Sequence, residues 1–169
     1  MRVLSYHRRE MLKDLLAKVW RGSPARVRRL GVWLAEPRFT VTAGAVVVDA
    51  GGCVLLLKHV FRRGSGWGIP GGFMEKGEQP EAAIRRELRE EVGLELEEAR
   101  LVAVRTLAAT QQVEILFLAR PARGACARPA SAEVSALKWF APDALPEGLP
   151  RDQRRLIDLA LARGARRAE

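Results

Sequence analysis

The stretch from Gly72 to Leu94, GFMEKGEQPEAAIRRELREEVGL, constrains this chain more than any other. Glu78-Gln79-Pro80-Glu81 reads as a helix start. Proline suits the first helical turn, and acids favour the positive end of the helix dipole. Gly93 reads as the stop, a residue free to turn left-handed after the last turn. Between them, Glu87, Glu90 and Glu91 stand at i, i+3 and i+4, so three carboxylates share one side of one helix. Like charges at that spacing repel and weaken the bare helix. A divalent cation removes the conflict, and an all-oxygen donor set selects a hard ion such as Mg²⁺. Ile84, Leu88 and Val92 form the adjoining apolar stripe, so the helix anchors by one stripe and displays acids beside it.

A charged surface helix paired by Arg85, Arg86 and Arg89 would also carry such acids. It would not account for Gly72 and Glu78 at their distances, nor for the run Trp67-Gly68-Ile69-Pro70-Gly71-Gly72 that leads in. Gly72, Glu78, Arg86, Glu87, Leu88, Glu90, Glu91, Gly93 and Leu94 follow the pattern G-x5-E-x7-R-E-U-x-E-E-x-G-U, with U a bulky apolar residue. This resembles the Nudix box at every defined position. The resemblance implies an α/β/α sandwich with a mixed β-sheet and the Nudix loop-helix-loop, covering roughly residues 39 to 163. It also implies a pyrophosphohydrolase acting on a nucleoside diphosphate linked to another group, with Mg²⁺ as cofactor and Mn²⁺ as its substitute. Carried onto this chain, Glu87, Glu90 and Glu91 resemble the metal ligands, joined by the backbone carbonyl of Gly72 or its neighbour Gly71. Glu87 or Glu90 takes the added role of ordering or deprotonating water. Arg86 is similar to the residue that orients a box carboxylate, and Glu78 to an acid that either stands behind the metal ligands or bridges. Family members also recruit a glutamate from outside the box, for which Glu133 and Glu114 are the candidates.

The rest of the chain places this stretch in one domain. Residues 39–48 and 53–60 read as two strands of a hairpin around Asp49-Ala50-Gly51-Gly52. Arg62 and Arg63 lie in a glycine-containing loop that ends beside the box, which reads either as a solvated loop or as one whose arginines reach a substrate phosphate. Trp67 is expected under the Pro70-Gly71-Gly72 turn. Segments 100–107, 112–119 and 134–140 read as strands, 121–131 as a loop and 151–163 as a closing helix. His7 and His59 have no partner in the sequence that would make either a base or a ligand. Cys53 and Cys126 make no disulfide framework, and Cys53 reads as a small core residue.

The net charge of +9 is uneven. Residues 1–38 carry +7, residues 39–149 carry −1 and residues 150–169 carry +3. The first segment is therefore set apart as a basic helical extension, with residues 39–169 as the hydrolase domain. Met11, Leu12, Leu15, Leu16, Val19 and Trp20 make an apolar stripe over 6–21, Gly22 ends that helix, and Ser23-Pro24 starts a second helix or a turn. The stripe is expected to pack on the chain itself or across a homodimer. No apolar run approaches the ~20 residues of a membrane span, and no apolar signal core opens the chain, which predicts a cytoplasmic protein whose partner is a small nucleotide. Two other readings stay open: an RNA 5′-end pyrophosphohydrolase, and a non-catalytic Nudix-fold nucleotide-binding regulator.

Overall fold

The computed structural model describes residues 2–62 and 64–166. Arg63 lies outside the described residues, as do the side chains of His7 and Leu12. The chain divides into two compact units, Met1–Arg38 and Phe39–Glu169. Among the described residues, no helix is long and apolar enough to cross a membrane.

The first unit is two helices, α1 (Arg2–Gly22) and α2 (Ala25–Ala35). Gly22 and Ser23 break the first, and Pro24 starts the second, its carbonyl accepting the amides of Val27 and Arg28. Gly31 of α2 lies against the ring of Trp20, which a β-carbon there would crowd at 3.2 Å. No residue of α2 is buried.

The second unit is built on β1 (Thr40–Val47), β2 (Val54–His59), β3 (Trp67–Gly68), β4 (Gly71–Phe73), α3 (Pro80–Val92), β5 (Leu96–Leu107), β6 (Gln112–Pro121), β7 (Val134–Phe140) and α4 (Arg151–Ala165). One sheet has the order β4-β1-β6-β5 and the other β3-β2-β7. β1 runs parallel to β6 over its whole length and antiparallel to β4. The architecture is the mixed α/β sandwich expected from the resemblance. α3 packs on β1 and β4, while α4 packs on β6, β1 and β5. Successive side chains of β1 point to opposite faces, so both faces are covered. Ala43, Ala45 and Val47 meet Ile84, Leu88 and Val92 of α3 in one cluster. Val46 meets Leu156, Ile157 and Ala160 of α4 in the other.

One expectation is corrected here. β1 and β2 do not form a hairpin. The turn exists, with Asp49 Oδ1 accepting the Cys53 amide at 2.8 Å, but only the isolated bridge between Val48 and Val54 joins the strands. Both edges of β1 are taken by β4 and β6, so β2 must leave for the second sheet. Trp67 packs edge-on against Phe140 of β7, centroids 5.3 Å apart, because pairing of β3 with β2 carries it to that sheet's face.

Candidate functional site

Helix α3 starts after Gln79 with Pro80 in its first turn, and ends at Gly93, whose φ of 65° closes the last turn left-handed. Its buried stripe of Ala83, Ile84, Leu88 and Val92 fixes the helix's rotation, and so fixes where the acids point. They receive different environments. Glu90 is exposed, Glu87 is partly covered and Glu91 is buried with 7% of its surface accessible.

Arg86 organises the first two. Its guanidinium donates to both carboxylate oxygens of Glu78 at 2.9 and 3.0 Å, to Glu87 Oε1 at 2.9 Å, to Glu90 Oε2 at 3.2 Å and to the Phe73 carbonyl at 3.0 Å. One fork-shaped cation thus holds three acids and the backbone just after Gly72, a geometry that lysine's point charge cannot copy. Glu78 also accepts the Glu75 amide at 2.9 Å. The Arg86 hydrogen bonds hold Glu78 below the usual carboxylate range. Glu87 is pushed up by burial, against the pull of Arg86.

Glu91 turns inward. Its Oε2 accepts the Gly71 amide at 3.3 Å, and its Oε1 lies 3.5 Å from His59 Nε2. Burial first, and the neighbouring Glu87 charge second, push its pKa up to about 7. His59 therefore has a neighbour that the sequence did not reveal. The irregular pairing of β2 with β7 at Lys58/His59 accompanies this placement, and such irregularities re-aim side chains. Burial, then the Arg62 charge, hold His59 down at about 4, so the ring is neutral at pH 7 and its approach to Glu91 is not an ion pair. Its Nε2 is buried without a hydrogen-bond partner among the described residues.

Two glycines let the backbone approach these acids. Gly71 has φ 145°, and a β-carbon there would run into the Ala43 carbonyl oxygen across the β1–β4 pair. At Gly72 a β-carbon would fall 2.5 Å from the Glu87 carboxylate. The acid is pressed onto the glycine backbone. Beside them opens a cavity of about 200 Å³, lined among others by Thr42, Arg62, Gly72, Phe73, Gln112 and Gln153. Gln112 donates to Thr42 Oγ1 at 2.7 Å, and Gln153 Oε1 accepts the Ile69 amide at 3.0 Å. Arg62 donates from Nη2 to the Ile69 carbonyl at 3.1 Å, while its buried Nη1 has no partner among the described residues. Its guanidinium occupies the space a side chain at Gly68 would need. Nothing in the sequence pattern pointed to Gln112 or Gln153, because only the β1–β6 pairing and α4 bring them here.

The two outlying glutamates differ. Glu114 lines the cavity but is engaged by Arg105 at 2.5 Å, which also grips Asp152. Glu133 precedes β7, its carbonyl accepts the Val60 amide, and its charge acts on Glu91.

Among the described residues, no three His, Cys, Asp or Glu side chains are gathered as a metal-ligand set. Arg86 holds Glu87 and Glu90 on one side, and the Gly71 amide holds Glu91 on the other. The donor chemistry still fits a hard divalent ion. The oxygens of Glu87, Glu90 and Glu91 stand on one helix, and Glu87 lies directly against Gly72.

The family model described as NUDIX domain matches residues 38–160. A "MutT-like protein" of Streptomyces ambofaciens is 32% identical over 114 residues, covering 67% of this chain and 71% of that protein. The human "8-oxo-dGDP phosphatase NUDT18" is 37% identical over 112 residues, 63% of this chain but only 34% of its own length. The crystal structure of a MutT NUDIX hydrolase from Burkholderia pseudomallei superposes with a TM-score of 0.64 at 33% identity, covering 73% of this chain and 98% of that one. Together with the helix, the glycine approach and the mixed sheet, these matches establish that the chain belongs to the NUDIX-domain family, the family of the Nudix hydrolases.

Proposed function

We propose that this protein hydrolyses the pyrophosphate linkage of a nucleoside diphosphate derivative, with Mg²⁺ or Mn²⁺ as cofactor. The observation that carries the reading is the cavity's position. It lies against Gly71 and Gly72, where the Glu87 and Glu91 carboxylates meet backbone, and it has on its wall an arginine whose buried Nη1 has no partner among the described residues. Glu87, Glu90 and Glu91, with the Gly72 carbonyl, would hold the cation. When bound, it sets positive charge against the substrate's phosphates and makes a water more acidic.

The chain's own residues divide the remaining work. Arg86 and Glu78 fix the Glu87 carboxylate against Gly72. Arg62, on the cavity wall, brings a positive charge to a phosphate bound there. Glu87 or Glu90 orders the attacking water. Glu133 is the better placed of the two outlying acids to accept a proton, since Glu114 is committed to Arg105. Phosphoryl transfer asks a protein for positioning and charge more than for covalent chemistry, and these roles supply both. Residues 39–169 form the catalytic domain in this reading, and residues 1–38 an extension to it.

A panel of nucleoside diphosphate derivatives tests the proposal, and the human relative's printed activity argues for including oxidised nucleoside diphosphates. Release of a nucleoside monophosphate, phosphate or pyrophosphate is expected with either metal. Tight nucleotide binding without cleavage across the panel would sink the enzyme reading in favour of a regulator.

A further inference from the structure

We infer that the first unit docks on an anionic lipid bilayer, as a pair of interfacial helices. Met11, Leu15, Leu16, Val19 and Trp20 of α1 are each between 45% and 71% exposed. At 100° per residue they span one half of the helix, and Lys13, Lys18 and Arg21 share the other with Asp14. On α2, Val27, Leu30 and Leu34 form a second exposed stripe, with Arg28 and Arg29 off it. The side chains that usually sit at a lipid–water boundary are here too. Trp20 rests on Gly31, and Trp33 carries the Arg38 guanidinium 3.6 Å from its ring centroid.

Charge decides what covers these stripes. The unit carries +7 over 38 residues. Two copies meeting here would bring two such charges together, which opposes a dimer through this face. A nucleic acid would match the charge, but it has no site for exposed Met, Leu and Val side chains. Its bases stack on aromatic rings, and of the two tryptophans Trp33 already carries an arginine. An anionic bilayer matches both features. Its headgroups meet the arginines and lysines, and its acyl boundary takes the aliphatic stripe. Neither helix needs to span, and among the described residues none is long and apolar enough to do so.

The test is flotation of the full-length protein with phosphatidylcholine vesicles, with and without phosphatidylglycerol. At least about tenfold stronger partition onto the anionic vesicles is expected, weakening as salt rises. Leu15→Gln combined with Val19→Gln should lower partition about tenfold. So should Arg26→Glu combined with Arg29→Glu, which leaves the apolar stripe intact and covers the case in which the first pair unfolds α1. Hydrolysis of a soluble nucleotide should be unchanged in both. No flotation with either vesicle at low salt would overturn the proposal. So would retention on single-stranded RNA in place of vesicles, or a stable dimer that the Leu15/Val19 pair dissociates.

Discussion

Gly71 and Gly72 are neighbours with separable jobs. Gly71 sits at φ 145° with the Ala43 carbonyl where a β-carbon would go, so Gly71→Ala strains the β1–β4 pair itself. It should destabilise the fold by on the order of 2 kcal/mol or more, read from the urea midpoint. At Gly72 the obstacle is the Glu87 side chain, which can swing away. Gly72→Ala should therefore leave the midpoint nearly unchanged while kcat falls. Equal stability losses in both would show that the contact with Glu87 is not what requires glycine there. Glu87→Gln, Glu90→Gln and Glu91→Gln should each lower kcat by about a hundredfold or more. In chelator their melting temperatures should hold or rise, most for Glu91→Gln, since it removes a buried charge next to another acid. Gln at Glu97 or Glu98 should change neither quantity. If all three box variants kept wild-type kcat in saturating metal, the site would have been misplaced. At this scale the sequence was legible where residues lie close in the chain. Arg86 reaching Glu87 and Glu90 is local helical spacing. His59 beside Glu91 was hidden, because 32 residues and a strand crossing separate them.

At the scale of elements, α3 was readable almost to its ends, since its cap chemistry is local: Pro80 at the start, Gly93 at the stop. β7 matched its expected span, residues 134–140, for the same reason, a short apolar run between polar turns. The pairing of strands was not readable. Apolar runs at 39–48 and 53–60 around a turn suit a hairpin equally well, and only the pairing of β1 with β4 and with the distant β6 takes both its edges. A second interelement tie, Arg105 between Glu114 of β6 and Asp152 of α4, was equally invisible. It gives a pH prediction. Arg105 hydrogen bonds hold Asp152 below its usual pKa, so the folded value lies under the unfolded one of about 3.9. The stability this contributes is present above that unfolded value and is lost as pH falls through the folded one. Asp152→Asn should therefore cost up to about 1 kcal/mol near neutrality, because the carboxylate is half exposed and screened. The difference from wild type should vanish in acid melts. A constant difference down to pH 2 would remove the ion pair as its cause.

For the whole molecule, metal dependence is the first expectation: chelator should abolish hydrolysis, and Mg²⁺ or Mn²⁺ should restore it. Mg²⁺ should also raise the melting temperature of the wild type but not of a Glu87→Gln/Glu91→Gln double variant, as seen by differential scanning fluorimetry. The parallel pairing of β1 with β6 has a different consequence, one for synthesis. Thr42 of β1 meets Glu114 of β6, so the cavity wall joins segments about seventy residues apart. A ribosome adding about 5–20 residues per second needs roughly 4–14 seconds to supply the second strand after the first. Even after β4 and α3 have been made, β1, whose residues 43–47 are all buried in the finished fold, keeps the edge that β6 will take open and has α3 as its one available cover. Nascent chains arrested before Gln112 should thus be protease-sensitive in β1 and bind trigger-type chaperones, while chains arrested after Ala165, the end of the α4 cover, has cleared the exit tunnel should not.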